Sequence, residues 1–76
     1  MKKIFTNCFG EIIGKDEFIN EKIQIMQDLK MFQNTWQIEA IKEIFHKKET
    51  EIQIENLMHD LMIQKISIGR FIDVYY

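Results

Sequence analysis

The middle of the chain carries two helix-start signals in succession, and this repetition constrains the fold more than any other feature. Each signal is a capping residue followed three positions later by glutamine: Asn34 with Gln37, and Thr50 with Gln53. Such a pair is typical of a capping box, in which both side chains bind free backbone N–H groups at the start of a helix. We therefore expect two helices, joined by a short, charged turn at about residues 47–49.

Apolar residues behind each signal recur at helical spacing. The first helix, over residues 35–48, has an apolar face made of Ile38, Ile41, Ile44 and Phe45, and the second, over residues 50–64, has one made of Ile54, Leu57, Met58 and Leu61. Spacings of three and four residues place such side chains on one face of an α-helix. Because the turn is so short, the two helices are expected to be neighbours, antiparallel or steeply crossed.

A third helix is expected over residues 17–33, with Asp16 as its cap. Its apolar residues form two adjacent stripes, Phe18, Ile25, Leu29 and Phe32 in the first and Ile19, Ile23 and Met26 in the second. An apolar arc of this width indicates burial on two sides. Either the N-terminal segment or a second molecule would cover the remainder.

The two ends of the chain leave alternatives open. Residues 1–14 favour a helix, because their apolar residues fall on one half of a helical wheel, but the isoleucine and phenylalanine content and the central Gly10 also suit a strand. Residues 65–76 favour a strand or hairpin about Gly69 and Arg70, because their apolar residues alternate. A helical spacing in that segment competes with this interpretation, through Ile68, Phe71, Ile72 and Tyr75.

The fold class expected is therefore mainly α: a small bundle of three to four short helices, with a short C-terminal β-strand or hairpin. At 76 residues the chain predicts a single domain over residues 1–76. Ten basic and twelve acidic residues give a net charge of −2, which exerts no overall attraction on nucleic acid or anionic lipid. A single cysteine rules out an internal disulfide and suggests a cytoplasmic protein.

Nothing in the sequence predicts catalysis, a cofactor or a metal site. The candidate metal ligands Cys8, His46 and His59 are far apart on different elements. Gly10 and Gly14 lack the pattern of a phosphate-binding loop. No apolar run approaches the roughly 20 residues that a membrane-spanning helix needs. These features favour a non-enzymatic protein that does not enter membranes.

Binding to another protein is the function that these exclusions favour. The expected contact residues are large apolar side chains beyond the needs of one small core, namely Trp36, Ile19, Ile23, Met26, Met31, Met58 and Met62. The partner would be a larger protein, which this chain inhibits or regulates, or a second copy in a structural oligomer. The composition, rich in isoleucine and lysine and without proline, is typical of an AT-rich genome and suits a phage or mobile-element inhibitor of a host factor.

DNA binding is the alternative function. Two helices followed by a hairpin have the outline of a winged helix-turn-helix protein, which is an analogy of fold only. The second helix, in the position of a recognition helix, carries Glu51, Glu55 and Asp60, and such charges oppose contact with phosphates. A basic surface would require folding to gather Lys2, Lys3, Lys47, Lys48, Lys65 and Arg70.

Overall fold

The structure is a computed structural model that describes residues 4–76, so Lys2 and Lys3 lie outside the described residues. In chain order its elements are β1 (Phe5–Thr6), β2 (Ile12–Ile13), α1 (Lys15–Asp28), α2 (Thr35–His46), α3 (Glu51–Met62) and α4 (Ile68–Tyr75). The fold is mainly α, as the sequence predicts. Over the described residues its β-structure is a two-stranded antiparallel hairpin at the N-terminal end rather than at the C-terminal end.

The N-terminal hairpin replaces the helix that was favoured for residues 1–14. Phe5 pairs with Ile13 across the two strands, and the turn between the strands is organised by Asn7. The side-chain oxygen of Asn7 accepts hydrogen bonds from the backbone N–H groups of Phe9 and Glu11, at 2.9 and 3.0 Å. Gly10 has a φ of +81°, which other residues adopt only with strain. These local bonds compete with a helix, so the apolar pattern was misleading here.

Helix α1 begins earlier and ends earlier than the predicted helix over residues 17–33. Gly14 is its N-cap, and Asp16, the predicted cap, lies inside the first turn. At the other end Lys30 takes a left-handed φ of 56°, and the N–H groups of Lys30 and Met31 bind the carbonyls of Gln27 and Met26. This bonding pattern is a Schellman motif, which ends the helix.

The two central helices form where their capping signals predict them, as α2 and α3. At α3 the hydroxyl of Thr50 accepts a hydrogen bond from the Gln53 N–H at 3.3 Å, and the Gln53 side chain accepts one from the Thr50 N–H at 3.1 Å. At α2 the side-chain oxygen of Gln37 accepts a hydrogen bond from the backbone N–H of Asn34 at 3.3 Å. Helix α3 ends in a second Schellman motif, in which Gln64 has a φ of 58°.

The C-terminal segment forms helix α4, so the strand or hairpin predicted there is wrong. Ser67 is the N-cap, and its hydroxyl accepts a hydrogen bond from the Arg70 N–H at 3.3 Å. The helical spacing is the one that the fold uses, because Phe71 and Ile72 are buried and Ile68 packs against the core. A helix buries these side chains together on one face, whereas a lone hairpin would have left its strands weakly supported.

A single apolar core joins the hairpin to all four helices. The buried apolar residues are Phe5, Phe18, Ile19, Ile23, Met26, Ala40, Ile41, Ile44, Phe45, Ile54, Leu61, Phe71 and Ile72. The rings of Phe5 and Phe18 lie with their centroids 5.1 Å apart, which attaches the hairpin to α1. In α1 the inward stripe is Ile19, Ile23 and Met26, while Ile25 and Leu29 of the other stripe are exposed.

Polar contacts fasten the elements at the edge of this core. The carboxylate of Glu51, at the start of α3, accepts a hydrogen bond from the Thr6 hydroxyl at 3.0 Å. The ammonium of Lys15 donates to the carbonyl of His46 at 2.7 Å. The His46 ring also lies 3.5 Å from the Asp16 carboxylate, which makes an ion pair when the histidine is protonated. The start of α1 is thereby held against the end of α2.

Candidate functional site

A groove between α2 and the C-terminal segment exposes mainly apolar surface. Its volume is about 440 Å³. We call it the Trp36 groove, and it is lined by Trp36, Glu39, Ala40, Glu43, Ile72 and Tyr76. The four residues from α2 follow a spacing of three, four and seven, so they share one helical face. Ile72 of α4 and Tyr76, the C-cap residue of that helix, are one turn apart.

The groove has an apolar floor and aromatic walls. Ala40 and Ile72 form the floor, and both are almost fully buried by the chain itself. Trp36 and Tyr76 stand on either side with 58% and 62% of their surface exposed. Because Ala40 has the smallest side chain on this face, α2 leaves room there for an incoming group. The groove therefore presents two large aromatic surfaces to anything that enters it.

One end of the groove is closed by contacts of the chain's own residues. The Tyr76 phenol donates a hydrogen bond to the Glu43 carboxylate, which, together with the negative charge of Glu43, raises the pKa of that phenol. The Lys47 ammonium lies 5.1 Å from the centroid of the Tyr76 ring and 3.4 Å from the Tyr76 carbonyl oxygen. Tyr76 is thus held in place from two sides.

The other end of the groove is open and negatively charged. Glu39 is exposed and lies one turn from Trp36 on α2, and its carboxylate has no ion pair or hydrogen bond with any residue among positions 4–76. Trp36 likewise contacts no cation from the described chain. The groove therefore runs from the exposed Trp36 indole, beside a carboxylate without a partner in the described residues, to Tyr76, which already contacts Glu43 and Lys47.

Two other concavities are more polar. The larger, of about 680 Å³, lies at the ends of α1 and α3 and is lined by long polar side chains such as Lys30, Gln33 and Gln64. The second, of about 510 Å³, contains Lys65, Arg70 and Asp60. Both include loop residues, and both expose more polar surface than the Trp36 groove does.

The structure distributes the predicted contact residues among three environments. Trp36 lines the groove, and Met62 is 40% exposed on α3. Met31 and Met58 are partly buried against the core. Ile19, Ile23 and Met26 are buried within the chain, because the hairpin and α2 cover α1, so they offer no surface to a partner.

Sequence reasoning did not identify Tyr76, Ile72 or Ala40 as groove residues. The first two were assigned to a strand, and a strand places them differently from a helix. The signal that would have found them was the helical spacing of Ile68 and Ile72, continued one turn further to Tyr76.

In residues 4–76, no group of three or more histidine, cysteine, aspartate or glutamate side chains converges as a metal site would require. Within the same residues, the helices are too short and too polar for any of them to cross a membrane. Folding brings Lys48 to 5.7 Å from the Tyr75 ring, and Lys65 and Arg70 share a concavity with that ring, but Asp60 lies among them.

The fold and the groove together define a small, mainly α-helical domain that has an N-terminal hairpin and an exposed aromatic groove. Comparisons with protein-family models, with curated proteins and with solved structures find no match for this chain.

Proposed function

We propose that this chain is a non-enzymatic protein-interaction module that binds a larger protein through the Trp36 groove. The observation that carries the proposal is a half-exposed tryptophan beside an apolar floor, in a chain that has only one tryptophan. Leaving so large an aromatic surface in water is unfavourable, and its burial by a partner would contribute to binding. Inhibition or regulation of the partner is the effect expected of so small a module.

The shape of the groove supports recognition of a helix. Two helices border it, its floor is apolar, and its α2 face extends over two turns, or about 10 Å. Apolar side chains of an amphipathic helix commonly enter grooves of this kind. Tryptophan at the centre of such a contact is the residue type most often found to dominate binding energy.

Two alternatives have less support. A winged-helix protein would need a hairpin at residues 65–76, but residues 68–75 are helical. In addition, the exposed Glu55 on α3 would repel the phosphates of DNA. Self-association into an oligomer uses the same groove or another apolar surface. It differs from the proposal in the partner alone, and a measurement of mass in solution separates the two.

The test is capture of a partner by the tagged full chain, followed by affinity measurement with the purified partner. Trp36→Ala is expected to weaken binding by about 30-fold, which is the effect of a dominant interface residue worth ~2 kcal/mol. Phe9→Ala is the matched control, because Phe9 is another exposed aromatic that lies in the hairpin turn, outside the groove. Equal affinities for the wild type and Trp36→Ala would refute the proposal.

A further inference from the structure

We infer that the partner of the Trp36 groove presents an arginine or lysine among apolar residues of a helix, and that this cation lies between Glu39 and the Trp36 ring. The inference rests on the proposed function and specifies the chemistry of its partner. Three observations support it. The Glu39 carboxylate has no partner in residues 4–76, the neighbouring Trp36 indole is exposed, and three other aromatic rings already have a lysine over them.

Glu39 supplies the negative charge. It is the groove carboxylate without a partner in residues 4–76, whereas Glu43 already accepts a hydrogen bond from the Tyr76 phenol. A docked apolar surface would remove water from Glu39, and an uncompensated carboxylate at an interface is costly. A partner with a cation at this point avoids that cost, and a neutral or acidic partner does not.

Trp36 supplies the second half of the site. Lysine ammonium groups already lie over the rings of Phe18, Tyr76 and Tyr75, at 4.5, 5.1 and 5.7 Å from their centroids. Trp36, whose indole attracts cations more strongly than either other ring type, has no such neighbour among the described residues. Because Trp36 and Glu39 are one turn apart on α2, a single guanidinium or ammonium can contact both.

The groove also fixes where the cation enters. The opposite end contains Lys47, whose ammonium lies over Tyr76 and would repel a second cation. The positive side chain must therefore come in at the Trp36 end, while the partner's apolar residues cover Ala40 and Ile72. This polarity orients the partner helix along the groove.

Intrinsic fluorescence provides a direct test, because Trp36 is the chain's only tryptophan. The probes are two short amphipathic helical peptides with a leucine stripe, identical except that one carries arginine and the other its neutral isostere citrulline in the middle of the stripe. We expect the arginine peptide to shift the Trp36 emission to shorter wavelength and to bind about fivefold more tightly, the effect of one exposed cation–π and ion-pair contact.

Variants of the full chain complete the experiment. Glu39→Gln should reduce the preference for arginine, because only the contact with the Trp36 ring then remains, whereas Glu55→Gln, at an exposed position on α3, should leave the preference intact. Equal binding of both peptides would overturn the inference but not the proposed function. Absence of binding by either peptide would also overturn it, and the proposed function would still be decided separately by the comparison of Trp36→Ala with Phe9→Ala.

Discussion

Tyr76 links α4 to α2 through a hydrogen bond that only its neutral phenol can donate. Its acceptor, Glu43, also raises the cost of forming a tyrosinate nearby, and both effects raise the pKa of Tyr76 above its usual value near 10. A raised pKa means that the contact is complete below pH 10 and is lost as the pH rises through the folded-state value. The groove should therefore keep its shape throughout the neutral range.

Glu43→Gln is expected to lower the pKa of Tyr76 toward that of free tyrosine, since the nearby negative charge is removed. The measurement is tyrosinate absorbance in an alkaline titration. It is made in a Tyr75→Phe background, so that Tyr76 is the only tyrosine. The same titration midpoint with and without Glu43 would show that the hydrogen bond does not form.

Two phenylalanines of opposite burial test the core. Phe71 is fully buried, and its truncation to alanine should cost about 3–5 kcal/mol of unfolding free energy, through lost transfer energy and the cavity left behind. Phe9 is 84% exposed, and Phe9→Ala should change stability by less than about 0.5 kcal/mol. Chemical denaturation of both variants measures the difference. Similar losses at the two positions would contradict the assignment of α4 to the core.

At the scale of elements, the C-terminal ends of two helices were difficult to predict from the sequence. Both α1 and α3 end in a Schellman motif whose left-handed residue is not glycine: Lys30 in the first, Gln64 in the second. Glycine is the usual signal for this motif, and without it the predicted helix over residues 17–33 ran past the true end of α1. A left-handed conformation costs a lysine or glutamine roughly 1 kcal/mol.

Replacing these two residues with glycine should therefore stabilise the protein. Lys30→Gly and Gln64→Gly are each expected to raise the unfolding free energy by up to about 1 kcal/mol, less the entropy that glycine adds to the unfolded chain. Glu55→Gly, at an exposed position inside α3, should lower it by about 1 kcal/mol. Thermal or chemical unfolding distinguishes the signs, and a loss at Lys30 and Gln64 would refute the left-handed assignment.

The sequence predicted best the two helices whose first residues carry capping signals. Thr50 with Gln53 and Asn34 with Gln37 are explicit start signals, and α2 and α3 follow them. The hairpin depends on the Asn7 side chain, whose oxygen accepts hydrogen bonds from two backbone N–H groups that follow it, and no periodic pattern reveals such a contact. Helix α4 depends on Ser67, whose capping signal was weaker than the alternation of isoleucines around it. The sequence suggested Trp36 as a contact residue, which stays a prediction, but the groove beside Trp36 was not predictable, because its other side is formed by the C-terminal segment.

For the molecule as a whole, the shared core implies a single folding unit. The hairpin and each helix contribute at least one side chain to the same buried cluster, and the radius of gyration of the Cα atoms is 12.0 Å. No element has a core of its own, so none is expected to persist when the others unfold.

Unfolding should accordingly occur in one transition. Trp36 fluorescence reports on α2 and the groove, while far-ultraviolet circular dichroism reports on all four helices, and the two denaturation curves are expected to coincide. Phe5→Ala, which removes the ring that joins the hairpin to Phe18, should shift both curves together to lower denaturant. Separate midpoints for the two signals would show that part of the bundle unfolds independently.

The exposed turn of the hairpin also contains the chain's sole thiol, Cys8, which is solvent-accessible. A maleimide tether at that sulfur would immobilise every molecule in the same orientation on a sensor surface while leaving the aromatic groove unmodified. The same sulfur can join two copies through an intermolecular disulfide in air. A dimer that disappears on addition of a reducing agent is therefore an oxidation product and not an assembly of the protein.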